Sequence, residues 1–270
     1  MPGPTQISPA QLSRLIGTPD APTIIDVRIP DDFAAHPYLI PTSMRTAHKD
    51  IDAMAKTLAG GRVVVVCQRG QKLSEGAAAL LRTHGIATES LEGGTEAWVA
   101  AGLPMVPAAT LPATNLWVTR HRPKIDRIAC PWLIRRFIDP TARFLFVAPS
   151  EVADVATRFD ATPFDIDGVY WSHRGDTCTF DTLITEFGLS TPALDRLALV
   201  VRGADTDRHD LAPQAAGLLA ISVGLSRMFR DDLAQLEVGT TLYDALYRWA
   251  RDGFDEGHDW PTAPPPGRKT

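Results

Sequence analysis

Residues 63–74 read Val-Val-Val-Val-Cys-Gln-Arg-Gly-Gln-Lys-Leu-Ser, and this stretch decides the fold class of the first half of the chain. Four consecutive valines are typical of a strand buried on both faces, as parallel strands are beneath crossover helices. Residues 74–84, rich in Ala and Leu, predict the helix that follows. Cys67 is therefore expected at the carboxyl end of a central strand, where α/β proteins place their chemistry.

The residues after Cys67 favour a reactive thiolate. Unpaired N–H groups around Gly70, the N-terminus of the following helix and the cations Arg69 and Lys72 all stabilise negative charge on sulfur. The same groups would hold a bound anion, including the terminal sulfur of a persulfide. Cys67 is the predicted nucleophile, and the predicted anion-binding residues are Gln68, Arg69, Gly70, Gln71 and Lys72. The alternative is a buried structural cysteine that ends a strand.

Strands and helices alternate through the first hundred residues. Ser8 and Pro9 are suited to begin a helix, and Gly17 to end it. The further predicted elements are a strand over 23–28, a helix over 51–58, a strand over 89–91 and an amphipathic helix after Gly93-Gly94. This order predicts an α/β domain over residues 5–106, with a parallel sheet flanked by helices.

Three motifs of this domain resemble the rhodanese family. They are Ile-Asp-Val-Arg at 25–28, the cysteine loop with Gly70 and Ser74, and Leu-Glu-Gly-Gly-Thr-Glu-Ala-Trp at 91–98 before Gly-Leu-Pro. The resemblance implies that Cys67 carries a sulfane sulfur inside a loop of inward-pointing amides. It also implies a sulfurtransferase that takes sulfur from a small-molecule donor such as thiosulfate and passes it to a thiol or to cyanide.

The composition of the chain excludes several classes of function. With 270 residues, 44% hydrophobic and 22% charged, the chain predicts two globular domains. A net charge of −5 disfavours a general nucleic-acid binder. No signal-like N-terminus and no apolar run of about 18 residues is found, so we expect a cytoplasmic protein without a membrane partner. Cysteines at 67, 130 and 178 do not suggest a disulfide framework. No sequence pattern points to a particular oligomeric state.

A Pro/Ala/Thr-rich linker is predicted over 107–114, before a mainly helical α+β domain over 115–252. This domain should begin with strands over 117–120 and 142–147 on either side of a helix over 125–139 that contains Pro131. A disordered tail is expected over 253–270. The later helices are predicted over 180–187, 192–203, 213–229, 231–236 and 241–251.

Polar residues of the second half suggest three kinds of site. His173, Asp205, Asp126 and Cys130 carry the donor atoms of a divalent or redox metal, although no metal-binding spacing is present. Alternatively, arginines and aspartates form a salt-bridge lattice with Cys130 as a small core residue. In the third hypothesis the guanidinium groups of Arg127, Arg135 and Arg202 bind a tetrahedral oxyanion.

The second half resembles the chromate-resistance protein B domain over about residues 115–252. The resemblance lies in Trp117–Asp139, in Phe164-Asp165-Ile166, in Val-Arg-Gly-Ala-Asp-Thr-Asp at 201–207 and in Tyr-Asp-Ala-Leu-Tyr at 243–247. It implies a protein of the chromate or oxidative stress response, with chromate or sulfate as candidate ligands. Two functions follow as hypotheses: a sulfurtransferase coupled to this domain, or a non-catalytic sensor of an oxyanion or metal.

Overall fold

A five-stranded parallel sheet forms the centre of the first half, in a computed structural model that describes residues 3–58 and 60–257. Its strand order is β1-β6-β5-β2-β4, and β3 and β7 pair separately as a short antiparallel ribbon. The strands are β1 Gln6–Ile7, β2 Thr23–Asp26, β3 Tyr38–Leu39, β4 Met44–Arg45, β5 Arg62–Val66, β6 Ala87–Leu91 and β7 Val106–Pro107. The helices are α1 Pro9–Leu15, α2 Pro30–Ala35, α3 Ile51–Met54, α4 Lys72–Thr83 and α5 Gly94–Ala100.

The four valines form the central strand β5 and separate two hydrophobic cores. Because side chains alternate along a strand, Val63 and Val65 face one core and Val64 and Val66 face the other. The first core contains residues of α3 and α4. The second contains Leu12 of α1 and Trp98 of α5, and it continues into the second half of the chain. The predicted α/β fold of the first half is confirmed.

A smaller parallel sheet of order β10-β8-β9 and a group of helices build the second half. The strands are β8 Leu116–Arg120, β9 Arg143–Val147 and β10 Thr162–Pro163. The helices are α6 Asp126–Leu133, α7 Val152–Phe159, α8 Thr179–Glu186, α9 Pro192–Asp205, α10 Ala215–Met228 and α11 Asp232–Asp252. The predicted mixed and mainly helical character of this half is confirmed.

Three predicted helices differ from the observed ones. The helices predicted over 231–236 and 241–251 form the single helix α11, with Asp231 as its N-cap, because Gly239 is a packing position against Ile128 and not a helix end. The helix predicted over 125–139 is α6 followed by one π-helical turn, Ile134–Ile138. Pro131 lies inside α6, and helices commonly depart from regular geometry near a proline.

The two halves share one hydrophobic core. The space beside Gly17 is filled by Phe137 and Tyr247, since an added Cβ would lie 2.4 Å from Phe137 Cζ. The backbone N–H of Thr42 donates to the carbonyl of Phe137 at 2.9 Å. Between the halves, β7 is followed by a 3₁₀ turn, Ala108–Thr110.

Residues 258–270, which include most of the tail predicted to be disordered, lie outside the described residues. Among the helices that the structure describes, none has the length and apolar character needed to cross a bilayer.

Candidate functional sites

Cys67 lies directly after β5, at the sheet edge where all five parallel strands end. Its side chain is buried, and its Sγ lies 3.1 Å from Ser74 Oγ and 3.9 Å from the carbonyl oxygen of Gln71. Ser74 belongs to the first turn of α4, whose first N–H groups have no carbonyl one turn earlier within the helix. The sulfur therefore faces a helix N-terminus and a hydroxyl group, both of which can donate hydrogen bonds to an anion.

The Cys67 loop, residues 67–72, is seated on the Gly93-Gly94 turn. Gly70 and Gly94 both have positive φ, +65° and +61°, and a Cβ on Gly94 would lie 2.2 Å from the carbonyl oxygen of Cys67. The N–H groups of Thr95 and Glu96 donate to the carbonyls of Cys67 and Gln68, each at 3.0 Å. The Leu-Glu-Gly-Gly-Thr-Glu motif thus fixes the backbone that presents the thiol.

The charged residues of this loop lie at the surface. The Arg69 guanidinium is 3.4 Å from Glu96 Oε1, with both side chains more than half exposed. Lys72 is exposed at the first position of α4 and forms no ion pair within the described residues. Gln68 donates to Glu96 at 3.2 Å. A groove of about 460 Å³ extends from Gln68, lined also by His36, Tyr38, Thr95, Glu96, Val99, Ala100 and Met105.

A second group of polar side chains, the His173 cluster, consists of His173, Asp126, Asp165 and Asp205. The Nε2 atom of His173 lies 3.4 Å from Asp126 Oδ2, 3.4 Å from Asp165 Oδ1 and 3.3 Å from Asp205 Oδ2. Asp126 is fully buried and Asp165 nearly so, whereas the side chain of His173 is 41% exposed. The structure thus brings together three of the four predicted metal ligands, Asp126, His173 and Asp205.

Each carboxylate of the His173 cluster lies at the end of an element. Asp126 is the first residue of α6, Asp205 is the last residue of α9, and Asp165 follows β10. Asp126 Oδ2 accepts a hydrogen bond of 2.6 Å from the N–H of Thr179, the first residue of α8. Asp165 Oδ1 accepts the hydroxyl hydrogen of Thr179 at 2.9 Å.

The backbone before Asp126 is strained. Ile125 has φ +39° and ψ −98°, a conformation that β-branched residues rarely adopt. Two side chains hold it there: Ser222 accepts from the N–H of Ile125 at 2.9 Å, and the Tyr243 hydroxyl donates to its carbonyl at 3.1 Å. Helices α10 and α11 therefore fix the direction in which Asp126 enters the cluster.

The environment changes the ionisation of these groups. Burial raises the pKa of Asp126 to about 7, against the opposing effect of its hydrogen bond with His173. Hydrogen bonds to Asp126, Asp165 and Asp205 raise the pKa of His173 to about 12. Burial opposes ionisation of Asp165 too, but contacts with His173, Thr179 and two arginines hold the pKa of this carboxyl below its ordinary value. The cluster therefore concentrates negative charge around one imidazole.

The other predicted ligands are placed differently. Cys130 lies outside the group of three ligand atoms, and burial raises the pKa of its thiol well above the ordinary value. Arg127 pairs with Asp165 at 3.3 Å, Arg135 with Glu237 at 2.7 Å and Arg202 with Asp181 at 2.6 Å. Because the three guanidinium groups pair with three different carboxylates, these contacts favour the salt-bridge lattice over a shared oxyanion pocket.

Sequence reasoning did not include Asp165, Arg120 and Thr179 in this site. Arg120 ends β8 and lies 3.2 Å from Asp165 Oδ2. The signal was present, because Arg120 and Asp165 follow neighbouring parallel strands, whose carboxyl ends meet at one edge. Thr179 has no such signal, since its role depends on where α8 begins.

The fold and the cysteine site define a class: a parallel α/β domain with a cysteine-bearing loop, packed on a second, mainly helical domain. Residues 8–101 match the family model of the rhodanese-like domain, and residues 117–250 match that of the ChrB C-terminal domain. These matches confirm both resemblances seen in the sequence, a rhodanese-like domain over residues 8–101 and a ChrB C-terminal domain over residues 117–250.

Protein ChrB of Cupriavidus metallidurans is 40% identical over 133 residues, which are 48% of this chain and 39% of that protein. A rhodanese-related protein from Thermoplasma volcanium is 26% identical, with 37% of this chain and 96% of that chain covered and a TM-score of 0.33. A thiosulfate sulfurtransferase from Pseudomonas aeruginosa is 27% identical, with 41% of this chain and 21% of that chain covered and a TM-score of 0.34.

Proposed function

We propose that the first domain is a thiol-dependent sulfurtransferase in which Cys67 carries a persulfide. The observation that carries this proposal is the position of Cys67 Sγ, 3.1 Å from Ser74 Oγ at the N-terminus of α4. A persulfide at this position adds one anionic sulfur, and the free N–H groups of the first helical turn are suited to bind it. The exposed cation Lys72 would attract an anionic donor to the same loop.

The proposed reaction has two displacement steps. The Cys67 thiolate attacks the outer sulfur of thiosulfate, the S–S bond of thiosulfate breaks, and sulfite leaves with the bonding electron pair. The product is a Cys67 persulfide anion. A nucleophilic acceptor, cyanide or a thiolate, then attacks the outer sulfur of the persulfide. The Cys67 thiolate leaves and is ready for another cycle, so charge and sulfur balance in both steps.

The test is a thiosulfate-to-cyanide sulfur-transfer assay on two matched variants. Cys67→Ala and Cys130→Ala each remove one buried thiol from the chain. We expect Cys67→Ala to fall to the uncatalysed rate and Cys130→Ala to keep most of the wild-type activity. Background activity in the wild type, or equal activity in the wild type and Cys67→Ala, would contradict the proposal.

We further propose that the second domain directs this chemistry towards chromate or oxidative stress. The support is the match to the ChrB C-terminal domain and the similarity to Protein ChrB. A thiol-dependent reaction suits the cytoplasm, where cysteines stay reduced. The alternative function is a non-catalytic sensor that binds an oxyanion, such as chromate or sulfate, or a metal ion. Titration calorimetry with chromate, sulfate and divalent metal ions tests it, and the absence of heat with all of them, in protein that elemental analysis shows to be metal-free, would rule out this alternative.

A further inference from the structure

Three carboxylates contact one nitrogen atom of His173, and a single proton on that nitrogen cannot form good hydrogen bonds to all three. Oxygens of Asp126, Asp165 and Asp205 all lie 3.3 to 3.4 Å from the same atom, Nε2 of His173. A single N–H group points along one direction, and hydrogen bonds weaken steeply away from it. A proton on Nε2 can therefore form a good hydrogen bond to one of these carboxylates. The other two then lie close to negatively charged oxygens without such a bond.

The separations between these atoms fit a cation in their midst. Imidazole nitrogens and carboxylate oxygens lie about 2.0–2.2 Å from a divalent transition-metal ion, so neighbouring ligand atoms in a tetrahedral shell are about 3.4 Å apart. The ligand atoms of Asp126, His173 and Asp205 lie within 4.8 Å of one another. Two of these separations, from His173 to Asp126 and to Asp205, are already 3.4 and 3.3 Å.

A second observation comes from the buried end of the cluster. The Oδ1 atom of Asp126, a fully buried residue, has no hydrogen-bond partner among the described residues. Leaving a buried polar atom unpaired destabilises the fold, and more so when the atom is charged. The strained backbone at Ile125, the residue before Asp126, adds a further cost. Such costs are typical of a site that must bind something.

We propose that Asp126, His173 and Asp205 bind a divalent first-row transition ion. One imidazole and two carboxylates, with no thiolate, favour hard or borderline ions such as Mn²⁺ or Zn²⁺ over a soft ion such as Cu⁺. Asp165, held by Arg120 and Arg127, places a further carboxylate beside this site, 3.4 Å from Nε2 of His173. Three protein ligands leave a coordination position open, and the exposure of His173 places that position toward solvent.

The experiment titrates MnCl₂ or ZnCl₂ into the untagged, chelator-treated protein, with bound Mn²⁺ measured by electron paramagnetic resonance and Zn²⁺ by equilibrium dialysis. We expect one ion per chain and a higher melting temperature in its presence. Asp205→Asn and His173→Gln should each weaken binding at least about tenfold. Asp207→Asn is the matched control, because the Asp207 side chain is 91% exposed and lies two residues from Asp205, and it should bind as the wild type does.

Two results would overturn the proposal. One is a wild type that binds neither ion more tightly than about 1 mM; that outcome favours the ion-pair lattice, in which the His173 imidazolium alone neutralises the carboxylates. The other is unchanged binding in both Asp205→Asn and His173→Gln. Circular dichroism of each variant checks that it is folded. Sulfur transfer by the chelator-treated wild type is measured separately, so a failed metal test leaves the Cys67 proposal unaffected.

Discussion

At the scale of single residues, the environment of Cys67 depends on one side-chain neighbour. Ser74 Oγ lies 3.1 Å from the sulfur and 3.2 Å from the carbonyl of Gln71. When Cys67 is a neutral thiol, the Ser74 hydroxyl can donate to that carbonyl. When Cys67 is a thiolate or persulfide, the hydroxyl can rotate and donate to sulfur. A hydrogen bond to a charged group contributes about 1.5–3 kcal/mol, so Ser74 is expected to matter for rate more than for folding.

We therefore predict that Ser74→Ala slows alkylation of Cys67 by iodoacetamide at least about tenfold, the equivalent of 1.4 kcal/mol. Stopped-flow or mass-spectrometric measurement of the alkylation rate checks this prediction. Ser13→Ala, a change on the surface of α1, is the control. An unchanged rate in Ser74→Ala would show that the hydroxyl does not contact the thiolate.

The Cys67 loop could be predicted from sequence because all of its determinants are local. A valine run, a cysteine and a helix start within twelve residues specify a strand, a loop and a helix whatever the rest of the chain does. The His173 cluster is different, since its members come from the ends of α6 and α9 and from two loops. Donor chemistry pointed to Asp126, His173 and Asp205, whereas grouping Asp165 with them required the pairing of β10 with β8 to be inferred as well.

At the scale of elements, the Gly93-Gly94 turn supports the Cys67 loop. A Cβ on Gly94 would lie 2.2 Å from the Cys67 carbonyl and 2.4 Å from the N atom of Gly70. We predict that Gly94→Ala lowers sulfur transfer at least about tenfold and destabilises the protein by more than the 1–2 kcal/mol expected for positive φ alone. Gly85→Ala, with φ +75° and open space around it, isolates that conformational cost. Equal unfolding free energies for the two variants would contradict the predicted role of the turn.

Two glycines inside helices provide a second comparison. An added Cβ at Gly239 of α11 would lie 2.5 Å from Ile128 Cγ2, whereas Gly224 of α10 has nothing within 4 Å. Chemical denaturation should show that Gly224→Ala stabilises by about 0.5–1 kcal/mol, because alanine is the better helix former. Gly239→Ala should destabilise by about 1–3 kcal/mol through overpacking. Stabilisation by Gly239→Ala would mean that α11 does not pack this closely on α6.

The same glycine explains a wrong sequence prediction. Gly239 lies between two amphipathic segments, and a glycine there is compatible both with a helix end and with a close helix contact. Sequence periodicity cannot distinguish the two cases, because the deciding contact, Ile128, lies on another helix. The boundary of α11 therefore required the packing of α6 to be known.

At the scale of the whole molecule, the two domains are joined by a shared core. Val64 and Val66 of β5 and Phe137 and Tyr247 of the second half belong to the same buried cluster. The sequence predicted two domains and a linker, but it carried no sign that one face of the first sheet lies within a core shared by both halves. Burial of β5 on both faces was predictable, whereas the origin of the residues that cover it was not.

We predict from this shared core that the described halves unfold together. Phe137→Ala, at the contact with Gly17, should lower the free energy of unfolding by about 3–5 kcal/mol. Hydrogen exchange should then lose protection to a similar extent in β5 and in α9, although they belong to different halves. Loss of protection in α9 alone would indicate that the halves unfold independently.

Mass spectrometry of the protein after incubation with thiosulfate decides whether Cys67 accepts a sulfur atom. We predict that the intact mass increases by one sulfur atom, that peptide mapping places this atom on Cys67, and that cyanide removes it while thiocyanate forms. An unchanged mass, or a sulfur atom found on Cys130 or Cys178 instead, would contradict this prediction.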